Sequence, residues 1–140
     1  RHVGEAGEGG CPSTPRVILV SQATPNITDY SSWSFQINRA YAVRHGFSFY
    51  VANASSTAFV GQERDVRWSK VKILQNLLAG KGQEHMQVLA EGPYAACGGK
   101  QWGAVYAWID ADAVVINFDT SIRSIVGAQG REDKDLIIGR

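Results

Sequence analysis

The chain has 140 residues, of which 44% are hydrophobic and 19% charged, a size and composition typical of one globular domain with its own core. Its 14 lysines and arginines nearly balance its 13 aspartates and glutamates, so a net charge of +1 gives no electrostatic support for binding nucleic acid or an anionic membrane. No apolar stretch has the length of a membrane span, and the N-terminus lacks the hydrophobic centre of a signal peptide.

The first half of the chain predicts two strands separated by a helix. Residues 1–15 are rich in Gly, Glu and Pro and predict a flexible arm or linker. The run 16–22 predicts a buried strand, and 47–52 predicts a second one. Between them we expect a helix from Ser31 or Ser32 to about His45, with Gly46 as the glycine that ends it. Its predicted core-facing residues share helical spacing: Trp33, Ile37, Ala40 and Tyr41.

The second half predicts another helix and two more strands. A helix over about 65–80 would bury one stripe and end at Gly80; the stripe is Trp68, Val71, Leu74 and Leu78. The glycine-rich segment 80–103 predicts a long loop or insertion, interrupted by the apolar run 86–90. A strand over 104–109, a short helix from Thr120 to about Val126, and a strand over 135–139 follow. Strands alternating with helices predict an α/β fold with at least three parallel strands.

The pattern Asp110-Ala111-Asp112 is the feature that points to chemistry, because apolar runs precede and follow it. In an extended backbone residues i and i+2 project to the same side, so both carboxylates can converge on one cation. Three interpretations follow: a Mg²⁺ or Mn²⁺ site completed by phosphates, a carboxylate nucleophile with an acid–base neighbour, or a polar strand end. The flanking apolar runs predict burial, which an ionised carboxylate tolerates only when it is paired or bound to a metal.

Two further residue types bear on the cellular compartment. Cys11 and Cys97 are either unrelated thiols or one disulfide between the N-terminal arm and the 91–101 loop. Asn26 and Asn53 each begin an Asn-x-Ser/Thr sequon in a predicted loop, which favours a secretory lumen. No phosphate-binding glycine motif and no Gly-x-Ser-x-Gly setting for a serine nucleophile occur.

In four ordered segments over about residues 16–140 the chain resembles the GT-A fold nucleotide-diphospho-sugar transferases. It is most similar to the galactosyl/xylosyl/mannosyl transferase family, which includes plant xyloglucan xylosyltransferases and yeast α-mannosyl- and α-galactosyltransferases. The matching segments are Val17-Ile18-Leu19-Val20-Ser21; Asn38-Arg39-Ala40-Tyr41-Ala42 with His45-Gly46-Phe47; Arg67-Trp68-Ser69-Lys70-Val71; and Trp108-Ile109-Asp110-Ala111-Asp112-Ala113 with Asn117. Residues 80–103 depart from the family pattern.

The resemblance implies a Rossmann-like three-layer sandwich with a mostly parallel central sheet, in which residues 16–140 bind a UDP- or GDP-sugar. Asp110 and Asp112 would hold Mn²⁺ or Mg²⁺ against the diphosphate, with Ala111 between them in the donor site. Ser21, Gln22 and Ala23 would line the nucleotide pocket, and Lys70 would approach the donor. The sugar would pass to a glycan or glycoprotein acceptor with retention, and the resemblance names no catalytic nucleophile.

The family also has a C-terminal half with the acceptor site, so the resemblance implies a fold that is incomplete at the C-terminus. These 140 residues alone would then catalyse sugar transfer slowly or not at all. The usual location of this family and the two sequons imply that the protein lies in the Golgi lumen. It would be part of a single-pass type II membrane protein whose membrane anchor lies upstream of these residues. Two alternatives remain: a haloacid-dehalogenase-type phosphatase using Asp110 and Asp112, and a non-catalytic module of transferase-like fold.

Overall fold

The computed structural model of the chain describes residues 16–23, 28–53, 68–93 and 104–127. In chain order the elements are β1 (Val17–Ala23), α1 (Thr28–His45), β2 (Ser48–Asn53), α2 (Ser69–Leu78), a single 3₁₀ turn (Gln83–His85), β3 (Met86–Ala90), β4 (Val105–Trp108) and α3 (Ile122–Val126). The predicted arm 1–15, both cysteines, Asn26 and the predicted strand 135–139 lie outside the described residues.

The strands form one four-stranded sheet in the order β3-β2-β1-β4. β1 lies between β2 and β4 and pairs with both in parallel, so that Leu19 is opposite Phe49 on one side and Ala107 on the other. The predicted α/β class and its three parallel strands are therefore confirmed. The loop interpretation of 86–90 is wrong, because these residues pair antiparallel with β2 as β3. The apolar run 86–90 was a signal for this strand, but the glycine-rich sequence on both sides of it favoured the loop interpretation.

Helices cover both faces of the sheet, and the alternation of side chains along β1 divides the core into two halves. Val17 and Leu19 belong to the cluster on the α1 side, together with Tyr41 and Ala42. Ile18 and Val20 belong to the cluster on the α2 side. The result is an α/β sandwich of three layers, consistent with a Rossmann-like arrangement. Of the helices in the described ranges, none combines the length and the apolar character needed to cross a membrane.

The predicted buried face of α1 is wrong in all but one residue. Trp33 is 71% exposed, Ile37 is 38% exposed and Ala40 is also exposed, whereas Tyr41 is buried as expected. The inward face instead carries polar residues next to Tyr41 and Ala42; these are Ser31, Ser34 and Asn38. Helical spacing of apolar residues therefore selected the wrong side, because hydrogen bonds to a distant segment determine which side of this helix faces inward.

The predicted stripe of α2 is also wrong. Ile73 and Leu77 are buried with Ser69, at a spacing of four residues, while Trp68, Val71 and Leu78 are exposed. Leu74, the remaining member of the predicted stripe, is half-buried. The helix is apolar on two sides, so periodicity alone could not tell which side packs against the sheet.

The predicted C-terminal ends of α1 and α2 agree with the structure, whereas the predicted start of α1 at Ser31 or Ser32 is wrong, because the helix begins at Thr28. Gly46 and Gly80 follow α1 and α2 with φ of +69° and +72°, a left-handed conformation that glycine adopts without strain. The short third helix begins one residue later than predicted. Its N-cap is Ser121 rather than Thr120, and the Ser121 hydroxyl accepts a hydrogen bond from the Arg123 N–H at 3.1 Å.

The packing side of α2 can be tested with two matched truncations. Ile73→Ala removes a fully buried side chain and should lower the free energy of unfolding by about 2–5 kcal/mol. Val71→Ala truncates a side chain that is 55% exposed and should change it by less than about 0.5 kcal/mol. Urea unfolding followed by circular dichroism measures both, and equal losses would contradict the observed orientation of the helix.

Candidate functional site

The carboxyl ends of the three parallel strands meet at one edge of the sheet. β1 ends at Ala23, which is opposite Asn53 of β2, and Trp108 of β4 is opposite Val20. The predicted loop position of Asn53 is therefore wrong, since it is the last residue of β2. The chain passes from β1 to β2 on one side and reaches β4 on the other, so strand order reverses between β1 and β4. Open parallel sheets bind ligands at such a switch point, outside the carboxyl ends of the strands.

Asp110 and Asp112 follow β4 directly at this point. The Ile109 N–H donates to Val20 O at 2.9 Å and so continues the pairing with β1 by one residue. The Ala113 N–H then donates to Asp110 O at 2.9 Å, which closes a turn with both aspartates in it. The Trp108 indole N–H donates to Asp110 Oδ1 at 2.7 Å and fixes the orientation of that carboxylate.

The burial predicted for the two aspartates is wrong. Both are exposed, and in the apolar run that follows them Val114 is also exposed and Ile116 is 90% exposed. The chain turns away from the sheet at Asp110, so the run does not continue a buried strand. Solvated carboxylates do not need a cation to offset burial. Their relevance comes from their place at the switch point.

The predicted nucleotide-pocket residues occupy the neighbouring strand end. Ser21 is fully buried on the α1 side of β1, while Gln22 and Ala23 are half-buried. The Ser21 hydroxyl is buried, and no partner for it is present among the described residues. Gln22 and Ala23 are therefore better placed to contact a ligand than Ser21, whose side chain is fully buried.

Lys70 lies in the first turn of α2 and is exposed. At the other end of the helix, Leu77 O accepts a hydrogen bond at 3.2 Å from the hydroxyl of Tyr106, which pairs with Ile18 near the start of β1. The C-terminal end of α2 therefore lies toward the start of β1. The N-cap, Trp68, makes no side-chain cap hydrogen bond, and within α2 no acidic residue occupies the first turn, where the helix dipole is positive. Trp68 and Val71, the predicted core residues on either side of Lys70, are both exposed.

A row of polar side chains on α1 holds the segment 111–122 against the helix. Ser34 Oγ donates to Ala111 O, and Asn38 Nδ2 donates to Ala113 O at 2.9 Å. Further along, Tyr41 bridges the segment, donating to Thr120 O at 2.7 Å and accepting from the Ile122 N–H at 2.9 Å. His45 Nε2 lies 2.6 Å from Phe118 O, and since a carbonyl only accepts, this ring nitrogen is the donor.

Sequence reasoning missed this row, although a signal for it exists. Ser34, Asn38, Tyr41 and His45 recur at i, i+4, i+7 and i+11, which places them on one helical face. His45, at which the sequence predicts the end of the helix, lies in the last turn of α1. Its ring also packs against that of Tyr41, with 4.6 Å between the centroids.

The residues at the switch point fit a divalent cation only in part. Asp110 and Asp112 supply two exposed carboxylates, the hard oxygen ligands that Mg²⁺ and Mn²⁺ prefer. Within the described ranges, no cluster of three or more His, Cys, Asp or Glu side chains is present. Such a pair suits a cation whose other ligands are substrate phosphates and water, the usual arrangement for Mg²⁺.

Comparison of the chain with protein-family models, curated proteins and solved structures finds no match. The sheet topology and the residues at the carboxyl ends of β1 and β4 therefore define the candidate site.

The role of Tyr41 predicts an alkaline loss of stability. Burial raises the pKa of Tyr41, although the hydrogen bond from the Ile122 N–H works in the opposite direction. The stability that comes from the raised pKa is therefore complete below the ordinary value of 10.0 and is lost as the pH rises through the folded-state pKa. Tyr41→Phe should lower the free energy of unfolding at neutral pH by about 1–3 kcal/mol, because Thr120 O and the Ile122 N–H lose their partner.

The same variant should show a weaker fall in stability above pH 10 than the wild type, measured by urea unfolding at a series of pH values. Tyr106, whose pKa burial also raises, titrates as a common background in both proteins. Identical pH profiles for the two proteins would rule out Tyr41 as a source of the dependence.

Proposed function

We propose that the chain is the donor-binding part of a metal-dependent glycosyltransferase with a GT-A fold. In this proposal it binds a UDP- or GDP-sugar at the carboxyl edge of the sheet, and the sugar passes with retention to a glycan or glycoprotein acceptor. The observation that carries the proposal is the position of Asp110 and Asp112. They follow β4 at the switch point, beside the carboxyl end of β1.

The charges around this edge support a diphosphate as the ligand. Two carboxylates alone repel an anion. They favour a phosphate ligand only when a divalent cation lies between the carboxylates and the phosphate. Asp110 and Asp112 would hold Mn²⁺ or Mg²⁺, and the metal would stabilise the negative charge on the leaving diphosphate. The N-terminal end of α2, where Trp68 makes no side-chain cap hydrogen bond, and Lys70 would supply the remaining positive potential.

The other residues in the proposal have binding roles. Gln22 and Ala23, with Ser21 beneath them, would bound the nucleotide at the end of β1. Ala111 lies between the two ligands and carries no reactive group, so its role is to place them two residues apart. The proposal assigns no catalytic nucleophile. By the same resemblance the protein would act in the Golgi lumen as part of a single-pass type II membrane protein.

Calorimetry with nucleotides and metal tests the proposal directly. UDP or GDP should bind in the presence of Mn²⁺ and at least tenfold more weakly without it, since a lost charge-assisted contact costs about 1.5 kcal/mol or more. Asp112→Asn should abolish the metal-dependent part. Asp119→Asn is the matched control, because Asp119 is an exposed aspartate of the same segment that pairs with Arg44 instead.

Two other outcomes would contradict the proposal. Tight binding of BeF₃⁻ and phosphate without nucleotide preference would favour the phosphatase that uses Asp110 as nucleophile and Asp112 as acid and base. If no nucleotide or phosphate bound at all, the chain would be a non-catalytic module of similar fold.

Lys70 provides a separate test of the diphosphate contact. Lys70→Met should weaken the Mn²⁺-dependent binding of UDP or GDP by about tenfold, the loss expected for one hydrogen bond to a charged group. Lys72→Met removes the same charge from an exposed position two residues later on the same helix and should change the affinity by less than twofold. Equal effects of the two substitutions would show that only the net charge of α2 matters.

A further inference from the structure

Asn38 is a fully buried amide in the middle of α1, a position that its chemistry disfavours. Asparagine is a weak helix former, and a buried amide is tolerated only when its polar atoms are hydrogen-bonded. Here both ends of the amide bind one segment. Asn38 Nδ2 donates to Ala113 O at 2.9 Å, and Asn38 Oδ1 accepts from the Val115 N–H at 2.9 Å.

These bonds fix the backbone on both sides of Asp112. Ser34 Oγ, itself buried, donates to Ala111 O immediately before Asp112. Asn38 holds Ala113 O immediately after it, and the Ala113 N–H donates to Asp110 O at 2.9 Å. The Asp112 side chain is exposed, so its place relative to Asp110 depends on the backbone that carries it.

Asp110 is held in a different way. The Ile109 N–H pairs with Val20 O of β1, and the Trp108 indole N–H binds the Asp110 carboxylate itself. Asp110 is thus anchored to the sheet and the backbone around Asp112 to α1, and the turn bond from the Ala113 N–H to Asp110 O joins the two. The separation between their carboxylates therefore depends on the contact of Asn38 with the segment.

We propose that Asn38 is a positioning residue, which sets the place of Asp112 relative to Asp110 for binding a divalent cation. This inference rests on the function proposed above and names a residue that touches neither metal nor donor. Groups that hydrogen-bond directly to a metal ligand typically change metal affinity by about 10–100-fold when they are removed. Asn38 holds the residue next to Asp112, so we expect an effect at the lower end of that range.

The test compares metal affinity with stability in four proteins of the full chain. Mn²⁺ binding is measured by electron paramagnetic resonance, with and without saturating UDP or GDP, and stability by urea unfolding. Asn38→Leu keeps a similar volume and removes both hydrogen bonds. Ser34→Ala is the milder change on the other side of Asp112. Tyr41→Phe is the matched control, since Tyr41 makes two hydrogen bonds to the far end of the same segment.

We expect Asn38→Leu to weaken Mn²⁺ binding at least tenfold and Ser34→Ala to weaken it about threefold. Tyr41→Phe should be destabilised as well, yet its Mn²⁺ affinity should stay within twofold of the wild type. Unchanged affinity in Asn38→Leu, or an equal loss in Tyr41→Phe, would overturn the inference and leave the proposed function standing. If Asn38→Leu does not fold, the Mn²⁺ affinity of Ser34→Ala tests the inference instead, and an unchanged affinity in that variant overturns it. A wild type that binds no Mn²⁺ under either condition would overturn the proposed function and this inference with it.

Discussion

The hydrogen bonds between the polar face of α1 and the segment 111–122 are the constraint on which the candidate site depends. β4 is only four residues long, and the chain leaves the sheet at the turn that contains Asp110 and Asp112. From there the segment has α1 as its partner, since side chains of that helix bind Ala111, Ala113, Val115, Phe118, Thr120 and Ile122. Without these bonds, partly buried backbone groups of the segment would lose their hydrogen-bond partners.

A polar face is a costly way to pack a helix, but it defines register in a way that apolar contacts do not. Burial of apolar area is non-directional, so an extended segment lying on leucines can shift by a residue at little cost. A hydrogen-bonded segment cannot shift in this way, because Asn38 presents one donor and one acceptor to two particular backbone groups. A shift of one residue would break both of these hydrogen bonds and displace the turn that contains Asp112. The buried Ser34 and Asn38 thus hold the backbone on both sides of an exposed carboxylate.

How much could be predicted from the sequence depended on whether a feature is local. The parallel strands and the glycines after α1 and α2 follow from short-range patterns, and the structure confirms them. The inward face of α1 does not follow from a short-range pattern, because the partners of Asn38 lie 75 and 77 residues further along the chain. Apolar spacing then favoured Trp33 and Ile37, which are exposed. The position of Asp110 and Asp112 at the strand end was predictable, whereas their exposure depends on a turn that no local pattern indicated.

The hydrogen bonds around the two aspartates connect the edge of the sheet to α1. The neighbours of Asp110 are hydrogen-bonded to β1, whereas the backbone on both sides of Asp112 is hydrogen-bonded to α1. α1 is the next element in the chain after β1, whose carboxyl end carries Gln22 and Ala23. A ligand that contacts this strand end and a cation held by both aspartates would therefore act on the same helix. Under the proposed function, such a cation would connect α1 to the sheet at the edge where the nucleotide binds.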